Sequence, residues 1–201
     1  YIEKGFTLKI QIPEVASLLF VAVENNQENV AAYLIEKGIA VNEKNQNNET
    51  CIQIASKNKN KNIYILLQKN GGIIEVEDAI RAGDLAYLEK LVGSIAELGK
   101  HNRSDLLTVA IEANQIEVVK FLINKGLDIN AKSRNSKSPL ELSLTIRNQE
   151  IAELLIENGA DDFDIKEEDK IKNWLLASEN GFTKVLLLMV EKGLELNSPS
   201  I

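Results

Sequence analysis

The chain has 201 residues, 44% of them apolar but only 5% aromatic, so it can bury a core made of Ile, Leu, Val and Ala. Its formal net charge of -7 and pI near 5.0 argue against nucleic-acid binding, because contacts to phosphate need a basic surface. The charge is uneven: residues 1–73 carry net +1 and residues 74–201 net -8, so a basic or neutral partner surface suits the C-terminal part better.

One phrase recurs along the chain: apolar residues, two polar residues, then Gly. It is "YIEKG" at 1–5, "LIEKG" at 34–38, "LINKG" at 122–126, "LIENG" at 155–159 and "MVEKG" at 189–193. Its glycines, with Gly71, are Gly5, Gly38, Gly71, Gly126, Gly159 and Gly193, at intervals of 33, 33, 55, 33 and 34. A steady period near 33 with one irregular gap is an internal repeat containing one altered unit.

In chain order, residues 1–16 match the second half of a unit. The next unit starts at Ser17 with a short apolar helix, "LLFVAVENN", and a second helix carrying Val30, Ala31, Leu34 and Ile35 on one face. Gly38 then ends that helix in a left-handed turn, and a polar stretch leads to Thr50, where the pattern restarts. The unit near 74 follows its predecessor by only 24 residues, so the polar finger between them is nearly deleted. Its apolar stripe, Leu85, Leu88, Leu91, Val92, Ile95 and Leu98, predicts a longer second helix ending at Gly99, with no normal hairpin. Regular units resume near 105, 138 and 172. Ser17, Thr50 and Ser138 are predicted N-caps, and Pro139 supplies a preset φ at the first helical position. A helix pair of this size cannot bury its own apolar face, whereas stacked copies can, and the result is an all-α solenoid.

This pattern resembles the ankyrin repeat. "SPLELSLTIRNQEIAELLIENGAD" at 138–161 matches that family's Thr-Pro-Leu-His, Ala, Leu-Leu and Gly-Ala-Asp landmarks in register, and Asn42, Asn130 and Asn197 fall at its hairpin Asn. The resemblance covers residues 1–201 as a single array of stacked helix-turn-helix units with short hairpin fingers. The motif His is absent, with Phe20, Gln53, Glu77, Thr108, Glu141 and Leu175 in its place, so looser loops are expected. The opening half-unit and the final "GLELNSPSI", which starts a finger, read as parts of a longer array or larger protein.

The resemblance implies a module that binds another protein on a concave face and at finger tips. Carried over by register, the exposed first-helix ends are Glu24 and Asn25, Lys57 and Asn58, Arg81 and Ala82, Glu112 and Ala113, Thr145 and Ile146, and Glu179 and Asn180. The fingers add Lys44, Gln46, Asn47 and Glu49, a basic set of Lys132, Arg134, Asn135 and Lys137, and the acidic Glu168 and Asp169. Ile146 stands out as an apolar residue among charged neighbours. The resemblance also implies a monomer without cofactor, and leaves a second reading: the targeting module of a larger enzyme or channel. Asn130, in "LINKGLDIN", is the position where an animal ankyrin hairpin would accept a hydroxyl group.

Signs of catalysis are sparse. No phosphate-cradling Gly motif, no H-E-x-x-H and no C-x-x-C occurs. Cys51, at a helix start that would lower its pKa, and His101 are the candidates for a dyad. "DDFDIKEED" at 161–169 gathers six carboxylates, but it lacks the Gly and Glu that a calcium loop requires, and it reads as a solvated finger. Trp174 is expected to pack in the core. No apolar run approaches the roughly 20 residues that span a bilayer. The single Cys fits a reducing compartment, hence cytoplasm or, after delivery, a host cytosol. Together, 21 Asn and 23 Ile suggest an AT-rich genome, and with it a host-directed effector of an intracellular organism.

Overall fold

The computed structural model describes residues 18–91, 103–132, 136–160 and 167–192. These form twelve helices, and their only ladder pairing is an isolated bridge between Lys44 and Thr50. The chain divides into two compact units, Tyr1–Ala82 and Gly83–Ile201.

In the first unit α1 (Leu18–Glu24) and α2 (Glu28–Glu36) form one antiparallel pair, and α3 (Cys51–Lys57) and α4 (Lys61–Lys69) form the next. α5 (Val76–Ala82) closes the unit. First helices lie side by side, α1 against α3 and α3 against α5, and α2 lies against α4. Leu19, Phe20, Val23 and Leu34 of the first pair meet Ile52, Ile63, Tyr64 and Leu67 of the second in one core. Fully burying a side chain of this kind is worth about 1.5–3 kcal/mol. Ala22 and Ala55 are also buried, and at these small residues the first helices can approach closely.

The second unit repeats the scheme. It contains α6 (Leu85–Leu91), α7 (Arg103–Glu112), α8 (Ile116–Asn124), α9 (Pro139–Thr145), α10 (Gln149–Glu157), α11 (Glu167–Glu179) and α12 (Thr183–Glu191). α7, α9 and α11 form one layer and α8, α10 and α12 the other, with α6 against α8. Leu107, Ala110 and Ile111 are buried on α7, Leu140 and Leu144 on α9, Ile151, Leu155 and Ile156 on α10, and Ala177, Val185 and Met189 on the last pair.

Two of the expected helix starts, at Thr50 and Ser138, are present, and Ser17 lies outside the described residues. Thr50 and Gln53 form a reciprocal capping box: Thr50 Oγ1 accepts the Gln53 N–H at 3.4 Å and Gln53 Oε1 accepts the Thr50 N–H at 2.9 Å. Ser138 Oγ accepts the Glu141 N–H at 3.1 Å, with Pro139 at the first position. Gln53 thus caps its own helix start from the place of the missing motif His. Second helices carry caps that the period did not suggest: Asn60 accepts from Ile63 N–H at 3.0 Å, and Asn148 from Ile151 N–H at 2.8 Å.

Four second helices stop as expected, in a left-handed Gly: Gly38, Gly71, Gly126 and Gly159 have φ of 84°, 85°, 77° and 91°, and Gly193 lies outside the described residues. The turn between the two helices of a pair also needs positive φ, and there the chain uses Asn26, Lys59, Asn114 and Arg147 as well as Gly83 and Gly181. A non-Gly residue held in this region costs of order 1–3 kcal/mol.

Shortening before the altered unit is real. Residues 37–50 separate α2 from α3, but only 70–75 separate α4 from α5. The second helix of this unit, α6, is described as far as Leu91, and the predicted continuation to Gly99 lies outside the described residues. The short connection demands close approach at Gly72. A Cβ there would sit 2.9 Å from the Leu67 carbonyl oxygen and 3.1 Å from Ile52 Cδ1. Gly72→Ala is therefore expected to cost about 1–3 kcal/mol by overpacking, seen as a lower urea midpoint at unchanged m-value. An unchanged midpoint would mean that the loop relaxes without cost.

Candidate functional site

In the first unit, the finger between α2 and α3 is organised from within. Asn45, half-buried, accepts the Asn47 and Glu49 N–H groups on its Oδ1 at 3.0 and 2.9 Å, with Asn48 at φ 63°. This leaves Lys44, Gln46 and Asn47 exposed at the tip. Asn45 was not among the expected site residues; its signal was an Asx-type turn residue inside an Asn-rich loop. Glu49 is half-buried and pairs with Lys57 at the end of α3. The Lys57 hydrogen bond, helped by one from Asn45, holds the Glu49 carboxyl below its usual pKa. Finger and first helix, expected separately as contact points, are thus joined by an ion pair. The Asn42 side chain ties the base of the finger to the next turn, donating to Gly71 O and accepting from Ile73 N–H, both at 2.9 Å.

The first-helix ends are exposed at Glu24, Asn25, Lys57 and Asn58, and Arg81 is half-buried, with Nη2 3.3 Å from Glu77 Oε2. The Asn25 amide folds back onto Val21 O at 2.8 Å. Ala82, expected to face outward, is buried, because its small side chain sits in the core cluster of this unit. Ala113 is likewise buried in the second unit.

In the second unit Glu112, Lys132, Thr145, Ile146 and Glu179 are exposed and Lys137 is half-buried; Arg134 and Asn135 lie outside the described residues. Thr145 Oγ1 donates to Glu141 O at 2.8 Å, so its hydroxyl proton is used within the helix. Ile146 is 37% exposed. Other repeats place Asn25, Asn58, Ala82, Ala113 and Asn180 at that position, and the Asn180 amide is bound to Leu144 O at 2.8 Å. Asn130 donates its backbone N–H to Asp128 Oδ1 at 2.9 Å in a local turn. Glu168 and Asp169, expected on an acidic finger, lie instead in the first turn of α11, where Glu168 is exposed.

Of the two catalytic candidates only Cys51 is described. Cys51 is buried, and burial, aided by the charges of Glu24 and Glu43, pushes its thiol up to about 12. This is opposite to the lowering expected at a helix start, because desolvation outweighs the helix N-terminus. His101, and residues 161–166 of the carboxylate run, lie outside the described residues. Among the described residues no three ligating side chains gather where a metal could sit, and no described helix is long and apolar enough to cross a membrane. Trp174 is only half-buried; its neighbour Asn173 takes the buried position instead.

These elements define a class: a repeat protein whose stacked helix pairs leave short first-helix ends and polar fingers facing solvent. The chain belongs to the ankyrin-repeat family. Family models described as ankyrin repeats (many copies) and ankyrin repeats (3 copies) match residues 19–68 and 76–169. It is similar to the Caenorhabditis elegans ankyrin repeat and KH domain-containing protein mask-1, 32% identical over 60% of this chain and 4% of that protein. It is similar also to human transient receptor potential cation channel subfamily A member 1, 27% identical over 57% of this chain and 11% of the channel. The chain therefore spans a small part of the length of the curated relatives it matches. Among solved structures, an ankyrin repeat domain from Acinetobacter baumannii superposes with a TM-score of 0.54, at 20% identity, covering 87% of this chain and 97% of that one.

One buried acid outside this surface has a testable consequence. Asp78 at the start of α5 accepts the Ser56 hydroxyl on Oδ1 at 3.0 Å and the Glu75 N–H on Oδ2 at 3.3 Å. Burial raises its pKa, although both hydrogen bonds work in the other direction. A raised folded pKa means stability that is full below the unfolded value and lost as pH climbs through the folded one. Asp78→Asn keeps the shape without the charge, so it is expected to melt above wild type at pH 7, with the difference closing towards pH 4. A difference independent of pH would contradict this.

Proposed function

We propose that this chain binds a partner protein through its finger tips and first-helix ends, with specificity set by the side chains presented there. The observation that carries this reading is Ile146. It is an exposed branched apolar side chain at a helix end where the other repeats place Asn or Ala, on the repeat preceded by Lys132, Arg134, Asn135 and Lys137. Contacts of this kind, an apolar anchor ringed by polar residues, concentrate binding energy. On the first unit the same role falls to Glu24, Asn25, Lys44, Gln46, Asn47, Glu49, Lys57 and Arg81, and on the second Glu112, Thr145 and Glu179 complete the set. Binding of this type uses no cofactor and no catalytic group. The setting that the composition favours is a host-directed effector acting in a cytosol.

A second reading has one observation in its favour. The chain matches only 11% of the human cation channel, so an ankyrin array of this kind occurs as a minor part of a much larger protein. On that reading the array targets or regulates an enzyme or channel domain outside residues 1–201.

Affinity capture from a eukaryotic lysate with mass-spectrometric identification tests the first reading. Wild type is compared with a variant carrying Arg134→Glu, Lys137→Glu and Ile146→Asp, after both are shown to melt alike. The expected result is a protein retained by wild type and weakened in the variant by at least about 2 kcal/mol, the loss typical of a central anchor. Equal retention by both would remove this site.

A further inference from the structure

Residues 57–61, the turn from α3 into α4, read Lys-Asn-Lys-Asn-Lys. The corresponding turns at 24–28, 81–85, 112–116, 145–149 and 179–183 hold at most one Lys or Arg each. Register therefore puts three cations where another repeat carries Glu24, Asn26 and Glu28, and a third carries Glu112, Asn114 and Ile116. All three lysines are exposed.

The asparagines of this turn serve the stack. Asn60 caps α4 by accepting the Ile63 N–H at 3.0 Å, and it gives its amide to Asn26 Oδ1 on the preceding turn at 3.1 Å. Asn62 gives its amide to Glu28 Oε2 at 3.0 Å. The lysines are used differently. Lys57 turns to Glu49, while the ammonium groups of Lys59 and Lys61 have no hydrogen bond or ion pair among the described residues. Lys59 is held at φ 56°, a conformation that Gly or Asn adopts at less cost than a long side chain. Lys61 opens α4, whose first turn has no acid, so its charge sits at the positive end of the helix dipole. Both residues work against the local fold, and local strain collects where a chain makes functional contacts.

We infer that this turn docks an acidic segment of the partner protein, with Asp or Glu carboxylates of that segment meeting Lys59 and Lys61. The inference rests on the reading that the chain binds a protein. Two free cations, with Glu24 and Glu28 on the preceding turn, are too few for a membrane surface, which takes clusters of roughly 4–8 Lys or Arg. A nucleic acid would meet a chain of net charge -7. A short acidic segment matches two ammonium groups on a fixed turn. Exposed pairs of this kind add little affinity one by one, and they act mainly on partner choice and association rate.

The test selects a random peptide library displayed on phage against the full chain, and then measures binding of the selected peptides by fluorescence polarisation. Wild type is compared with Lys59→Asn/Lys61→Gln, which installs the residue types that other repeats hold at Asn114 and Gln149. A second variant, Lys37→Gln/Lys69→Gln, removes two exposed charges at the ends of second helices. Wild type is expected to select peptides enriched in Asp and Glu and to bind them about fivefold or more tightly than the Lys59/Lys61 variant. That difference shrinks at high salt. The Lys37/Lys69 variant binds as wild type does, and the Lys59/Lys61 variant melts at or above wild type because neither lysine supports the fold.

Peptides without acidic enrichment, or equal loss of binding in both variants, overturn the inference and leave protein binding in place. A lower melting temperature in the Lys59/Lys61 variant also overturns it, since the lysines would then serve the stack. Binding to vesicles of phosphatidylcholine and phosphatidylserine that depends on Lys59 and Lys61 assigns the turn to a membrane surface instead. If wild type selects no peptide above a bait-free control, the protein-binding reading and the inference fall together.

Discussion

Each helix pair in this protein carries an apolar face that only another helix pair can cover, and the rest of the structure follows from that constraint. Leu19 and Val23 share one core with Ile52 and Ile63, and α9 is covered by α7 on one side and α11 on the other. Because each pair touches only its neighbours, sequence at a given position is constrained by the adjacent repeat and by little else. The same positions can therefore hold Leu in one repeat, Cys in the next and Pro in a third, as Leu18, Cys51 and Pro139 do.

The polar side chains divide into those that serve the stack and those that do not. Asn42, Thr50, Gln53, Asn60, Ser138 and Asn148 spend their hydrogen bonds on backbone groups that helix ends and turns leave without partners. Between neighbouring pairs, Lys172 reaches Glu141 Oε1 at 2.7 Å and Lys184 pairs with Glu153. Burial raises the Glu153 pKa, but hydrogen bonds from Lys184 and Gln149 outweigh it and hold the carboxyl below its usual value. Several side chains at the first-helix ends and finger tips, such as Lys44, Gln46 and Ile146, face solvent instead. Binding specificity placed there can change without touching the fold, and this is the physical reason a stack of this kind suits recognition.

Much of this was legible in the sequence, because a period of 33 and a Gly after each apolar pair are signals of backbone geometry. Thr50, Ser138 and Gly38 act in the structure as their residue types suggested. What escaped depended on the neighbour across the interface. Helical register placed Ala82 and Ala113 on an outward end, but side chains this small sink into the packing. Register also put Trp174 in the core, whereas Asn173 is the buried residue of that turn. Cys51 looked activated by its helix start until the preceding repeat buried it. Gly72 and Asn45 carry ordinary turn signals, and only the closeness of Leu67 and Ile52, or the fold of the finger, reveals what each one does. The choice of Asn26, Lys59, Asn114 and Arg147 for left-handed turns was hidden for another reason: the corresponding turns at Gly83 and Gly181 carry the residue type that signals positive φ, and these four do not.

Whether recognition uses the surface assigned to it can be read directly by hydrogen–deuterium exchange on the chain alone and in complex with a captured partner. The account predicts slowed exchange in the 44–50 finger and at the C-terminal ends of α3 and α9, around Lys57 and Ile146, with no change at the ends of the second helices near Asn70 and Asn158. Protection confined to those second-helix ends, with the fingers and Ile146 unaffected, would contradict it.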